Sequence, residues 1–172
     1  MGKSAKPRKK YRPKPAINPL LLVASNNSPL TTAEVQGVLL ALHSAMHDMV
    51  HGKATRDSWE VIAGSLNMAV VISETVYDNQ YRAEIEKAMD AHMSARNRFK
   101  SLGKLGYSGP ELQAVNSAIE IHEAQLDSVN FKELTTAEHS VRQRLKEKYF
   151  GRFAKAAESG AKVPSTCETV RT

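Results

Sequence analysis

The chain has 172 residues, 41% hydrophobic and 24% charged, a balance that suits one packed domain and excludes a wholly disordered chain. Aromatic residues make up only 6%, with a single Trp59, and the one cysteine is Cys167, so the core must be aliphatic and neither an intrachain disulfide nor a cysteine zinc site can form. The formal net charge of +6 is concentrated at one end: the first 29 residues carry seven cations and no acid, whereas the remainder sums to −1.

Five of the seven prolines (Pro7, Pro13, Pro15, Pro19, Pro29) fall in residues 1–29, where they remove backbone donors and bias their neighbours toward extended conformations. This stretch, with Lys3, Lys6, Arg8, Lys9, Lys10, Tyr11, Arg12 and Lys14, is expected to be an extended basic arm, with Ile17 and Leu20 to Val23 pinning its base to the body. The longest apolar run, Pro19 to Ala24, falls far short of the roughly 20 residues that cross a bilayer. It is also too short, after too long a basic segment, for a signal peptide, so a cytoplasmic, reducing location and no membrane contact are expected.

A helical domain is expected over residues 30–157. Thr31-Thr32-Ala33-Glu34 is a capping box, with Leu30 and Val35 placed as a hydrophobic staple, and Val35, Val38, Leu39, Leu42, Met46, Met49 and Val50 follow at helical spacing up to Gly52. A second helix begins near Asp57, and its centre (Val61, Ile62, Leu66, Met68, Val70, Val71, Ile72) is apolar on every side, the pattern of a buried central helix. Asp78-Asn79 marks a break or kink, which leaves open whether this helix and the next are one rod. Tyr81, Ile85, Ala88, His92, Ala95, Phe99 and Leu102 then alternate in steps of four and three, a coiled-coil-like seam. The segment from Gly103 to Pro110 turns the chain, and Leu112, Val115, Ile119, His122, Leu126 and Val129 repeat the seam, so the third and fourth helices should form an antiparallel hairpin. Thr135-Thr136-Ala137-Glu138 reads as the capping box of the last helix, with Val141, Leu145, Tyr149 and Phe153 inside. Residues 158–172 show no periodicity and are expected to be a flexible tail. The class is thus all-α: a bundle of about five helices with a central buried helix, an extended basic arm and a frayed C-terminal tail.

Among candidate sites the arm comes first. Its cations can track phosphates in a strongly salt-dependent way, and Tyr11 among them can stack on a base. An acidic protein groove is the alternative partner, and a solubilising tail is the bland reading. Arg142, Arg144, Lys146, Lys148, Arg152 and Lys155 would coat the last helix with positive charge, a second contact surface or simply a solvated face near a helix C-terminus. His43, His47 and His51 share one helix face at zinc-ligand spacing but drift toward solvent, so a polar helix border is expected. His92 and His122 each replace an apolar seam residue at nearly the same level of the hairpin, close in sequence to Asp90 and Glu123. They are expected to face each other, as a hydrogen-bonded structural pair or as the candidate ligands of a metal-dependent helical-bundle enzyme. The Glu-x-x-His repeats of di-metal carboxylate bundles are absent from the sequence. So are phosphate-loop, nucleophile-elbow, dinucleotide-turn and His-Glu-x-x-His signatures, and nothing but Arg171 would activate Cys167. The expectation is a non-enzymatic binding protein with no cofactor and no metal.

The run Lys9-Lys10-Tyr11-Arg12-Pro13-Lys14-Pro15, followed by a helical body with its tryptophan in the second helix, resembles small uncharacterised proteins encoded in prophages of Gram-negative bacteria. The resemblance covers the arm and the first two helices. It implies a phage accessory protein of the host cytoplasm, a regulator or an inhibitor of a host enzyme or defence complex, and it assigns no functional residue.

Overall fold

The computed structural model describes residues 27–158, with side chains described as far as Glu147. Five helices follow one another along the described residues: α1 (Thr32–Val50), α2 (Arg56–Val76), α3 (Arg82–Leu102), α4 (Gly109–Ser128) and α5 (Phe131–Glu158). Among the described residues there is no strand, only an isolated antiparallel bridge between Pro29 and Asn130, and no helix long and apolar enough to cross a membrane. The expected pinning segment, Ile17 and Leu20 to Val23, lies outside the described residues, as does most of the expected tail.

Local chemistry sets the helix limits. At α1, Glu34 N–H donates to Thr31 Oγ1 (3.3 Å) and Thr31 N–H donates to the Glu34 carboxylate (2.9 Å), so two orphan donors are satisfied reciprocally. Its other end is a Schellman turn: Gly52 takes φ +68 and Lys53 N–H reaches back to the Asp48 carbonyl (2.9 Å). Between α2 and α3 the break is real. Asp78 and Asn79 both adopt positive φ (47 and 65), and the buried Ser73 organises the elbow, its carbonyl accepting from the N–H groups of Tyr77 (3.2 Å) and Asn79 (2.9 Å). The two helices are therefore separate elements.

The last helix starts earlier than its Thr135 box predicts. Asn130 caps it instead: Glu133 N–H donates to Asn130 Oδ1 and Asn130 N–H donates to the Glu133 carboxylate, both at 2.9 Å. Thr135 is left inside the helix, its hydroxyl bonding back to the Phe131 and Lys132 carbonyls. The physical reason lies one residue upstream, where the Pro29 bridge and the buried Val129 hold the chain extended up to Asn130.

The core divides in two across α2. Ile62, Leu66, Ala69 and Val70 pack with Leu42, Met46 and Met49 of α1, Ile85, Ala88 and Ala95 of α3, and Val115, Ala118 and Ile119 of α4. Val71 and Ile72 pack instead with Val129 and with Ala137 and Val141 of α5. The central burial expected of α2 is found in Ala69 to Ser73, five consecutive buried residues, whereas Val61, about two turns nearer its start, is exposed. The seam of α3 is likewise buried from Ile85 to Ala95, but Phe99 and Leu102 stand in solvent.

Ile72→Ala should cost about 2–5 kcal/mol, because it opens a cavity in the apolar layer that holds α5 to α2. Asp78→Gly should leave stability unchanged or raise it by up to about 1 kcal/mol, since glycine adopts a positive φ without steric penalty. Urea denaturation followed by helical ellipticity measures both, and loss of stability in the glycine variant would contradict the elbow geometry.

Candidate nucleic-acid interface and the buried histidines

The primary candidates, Lys3, Lys6, Arg8, Lys9, Lys10, Tyr11, Arg12 and Lys14, all lie outside the described residues. The structure does place the point from which the arm departs. Phe131 N–H donates to the Ser28 carbonyl (3.1 Å), and Pro29 bridges Asn130, so the arm's root is fixed beside the first turn of α5.

The cations of α5 are less available than their sequence suggests. Arg142 pairs with Glu138 one turn away (2.5 Å). Arg144 pairs with Glu74 of α2, which also holds Arg82 at the start of α3 (3.1 Å). Glu74 thus pairs with two guanidiniums and ties three helices together. Lys146 makes no ion pair among the described residues, and the side chains of Lys148, Arg152 and Lys155 lie outside them.

His92 and His122 do not pair with each other. Arg98 fixes the hairpin register, donating through both terminal nitrogens to the Glu111 carboxylate (2.8 and 2.6 Å) and also to the Gly106 carbonyl (2.8 Å). In that frame His92 meets α2: its ring stacks on Trp59 (centroids 4.6 Å apart, planes 13° apart) and its Nε2–H donates to the Trp59 carbonyl (3.1 Å). Its Nδ1 accepts from the Tyr107 hydroxyl (2.5 Å), so both ring nitrogens are committed within the protein. His122 donates from Nδ1 to Gln125 Oε1 (3.4 Å), and Gln125 in turn donates to the Ala69 carbonyl (3.2 Å) at the centre of α2. Glu123 turns away to His43 of α1 (2.9 Å), and Asp90 is exposed, so the expected carboxylate cluster is not assembled.

The α1 histidines line the solvent border as their spacing predicts, with His47 and His51 stacked 3.9 Å apart. Among the described residues no group of three or more histidine, cysteine or acidic side chains is arranged to hold a metal ion. Sequence reasoning missed three partners: Tyr107 and Trp59 around His92, and the Arg98–Glu111 clamp. The signal for the last was present, since Ser108 and Glu111 have capping-box spacing and Glu111 does accept from Ser108 N–H (2.7 Å).

Burial is the main cause that brings both seam histidines down from the ordinary 6.5 to about 4, opposed by the bonds to the Trp59 carbonyl and to Gln125. The Arg98 guanidinium, hydrogen-bonded to Glu111, holds that carboxyl down at about 2. Burial pushes the Tyr107 hydroxyl up, which keeps it a proton donor to His92.

Fold and sites together define an all-helical bundle that buries neutral histidines as structural parts and carries its surplus positive charge at a chain end. Comparison with family models, with curated proteins and with solved structures finds no match to this chain.

Because both histidine pKa values are depressed on folding, stability is fully present above about pH 6.5 and falls as pH drops toward about 4, where the unfolded chain takes up protons that the folded one refuses. Urea midpoints measured across that window should decline with acidification, and a flat profile would mean that the rings are not buried neutral. Tyr107→Phe should cost about 1–3 kcal/mol at neutral pH, because it leaves the His92 Nδ1 lone pair without its donor; an unchanged midpoint would dismiss that bond.

Proposed function

We propose that this chain is a non-catalytic binding protein of the phage-accessory kind that works in the host cytoplasm, docking its basic arm on nucleic acid or on a nucleoprotein complex. The observation that carries the reading is the separation of charge: seven cations and no acid in residues 1–29, on a chain whose remaining residues sum to −1. Positive charge in excess at one end, on a body that balances its own, attracts polyanions and steers their encounter. Two findings support giving the arm the leading part. Its root is anchored by backbone hydrogen bonds beside α5, and Arg142 and Arg144, the nearest secondary candidates, already face carboxylates of the body. Lys148 and Arg152 remain secondary contacts further along the same helix.

A protein-protein inhibitor that lays the arm into an acidic groove uses the same charges and is separated from the first reading by experiment. Fluorescence anisotropy with duplex DNA, single-stranded RNA and poly-glutamate, repeated across a salt series, should give nucleic-acid affinities that fall linearly on logarithmic axes with a slope corresponding to about four to seven neutralised phosphates. Removing residues 1–15 should abolish most of that slope. Equal binding to poly-glutamate with no preference for nucleic acid would transfer the reading to the acidic groove, and tight nucleic-acid binding without the arm would overturn it.

A further inference from the structure

The seam of α3 outruns the body that covers it. Phe99 is 44% exposed and Leu102 65% exposed, although both continue the stripe that is fully buried at Ala88 and Ala95. Val50, the last residue of α1, is 53% exposed at the same end of the bundle. The loop between α3 and α4 folds back against α1, so close that a side chain at Gly106 would meet the Met49 carbonyl at 3.3 Å, and Arg98 pins it there through the Gly106 carbonyl. What remains is a shallow groove of about 310 Å³ with a mixed lining, Val50, Leu102 and Leu105 beside Arg98, Lys104 and Tyr107, and Phe99 stands one turn of α3 away from it.

The charge around this groove is predominantly positive. Residues 91–110 contain Arg96, Arg98, Lys100 and Lys104 and no acid, and residues 49–56 contain Lys53 and Arg56 and no acid. Of the acids bordering this end, Glu111 pairs with Arg98 and Glu60 with Arg56 (2.7 Å), while Asp48 accepts from the neutral Ser58 hydroxyl (2.9 Å) and Asp57 stands in the first turn of α2. Lys53, Lys100 and Lys104 have no carboxylate partner among the described residues. Cations near the C-termini of α1 and α3 are favoured by the helix dipoles, but that preference does not account for the apolar surface between them.

We infer that this pole of the bundle is a docking surface for an acidic, amphipathic protein segment, whose apolar side chains seat on Val50, Phe99 and Leu102 and whose carboxylates meet Lys53, Lys100 and Lys104. Such a segment matches both features at once, with apolar anchors supplying affinity and rim charges supplying rate and selectivity. Nucleic acid fits less well, because only Phe99 offers a ring on which a base can stack, and a sugar-phosphate backbone has no apolar side chain to seat on Val50 and Leu102. The surface lies at the far end of α1 from Ser28 and Pro29, and would hold a protein partner while the arm engages its own target.

Selection of short random peptides displayed on phage against the full-length chain tests this without presupposing a partner. The enriched peptides should be acidic, with large apolar residues three or four positions apart. Their affinity, read by fluorescence anisotropy, should weaken about tenfold or more for Leu102→Ser/Lys104→Glu, two exposed positions whose change leaves the core intact. A full-length Lys9→Gln/Lys10→Gln/Arg12→Gln chain should bind the same peptides as the parent does, and backbone amide shifts should cluster at residues 49–53 and 99–106. Enrichment without acidic bias, weakening by the arm substitutions alone, or shifts mapped elsewhere would each overturn the inference, and the second of these would leave the arm's own attraction to polyanions standing.

Discussion

Everything in this bundle is arranged around a stretch of α2 that has no side facing water. From Ala69 to Ser73 every residue is buried, so at this level the helix must be enclosed on all of its faces, and a single sheet or one helical neighbour could not do that. Ala69 and Val70 belong to the layer shared with α1, α3 and α4, and Val71 and Ile72 to the layer shared with α5. A change at this segment reaches both layers at once. The polar groups in it are provided for accordingly: the Ala69 carbonyl accepts from Gln125, and Ser73 serves the elbow that follows.

The same economy governs the ionisable groups. A bundle poor in aromatic residues fills two seam positions with histidine, and each ring is kept neutral by burial and made useful by a bond to α2, through the Trp59 carbonyl or through Gln125 to Ala69. The arginines of the described residues are paired almost throughout: Arg56, Arg82, Arg98, Arg142 and Arg144 each face a carboxylate. The body thereby balances its own charge, which sets apart two places where it does not, the sequence of the arm and the lysine-rich pole at the α1 and α3 ends. The two differ in kind. One is charge on a proline-rich segment, and the other is charge around exposed apolar side chains at helix ends.

How much of this could be read beforehand follows the range of the interaction. The Thr31–Glu34 cap, the Gly52 stop and the hairpin of α3 and α4 depend on residues within a turn or two of one another, and periodicity exposes them. The start of α5 was misplaced because two capping boxes compete, Asn130–Glu133 and Thr135–Glu138, and the choice is made by a contact with Pro29 a hundred residues away. The facing of His92 and His122 failed for a similar reason. Seam position gives the face of each helix, but the register of the hairpin is set by Arg98 against Glu111, and the partners that claim His92 come from α2 and the 103–108 loop. Heptad spacing also predicted Phe99 and Leu102 inside, and nothing local to α3 reveals that its neighbours end before it does.

The ring stack at His92 has one more consequence. Trp59 is the only indole in the chain, and it lies between structural duties: its carbonyl holds His92, its ring carries the imidazole at 4.6 Å, and the Arg96 guanidinium stands 5.3 Å from its centre. Emission excited selectively at the indole, beyond the absorption of the five tyrosines, therefore originates at a single spot, next to two groups whose charge and distance change indole brightness. The molecule carries its own optical gauge for the packing of α2 against α3, free of the ambiguity that several overlapping fluorophores would introduce.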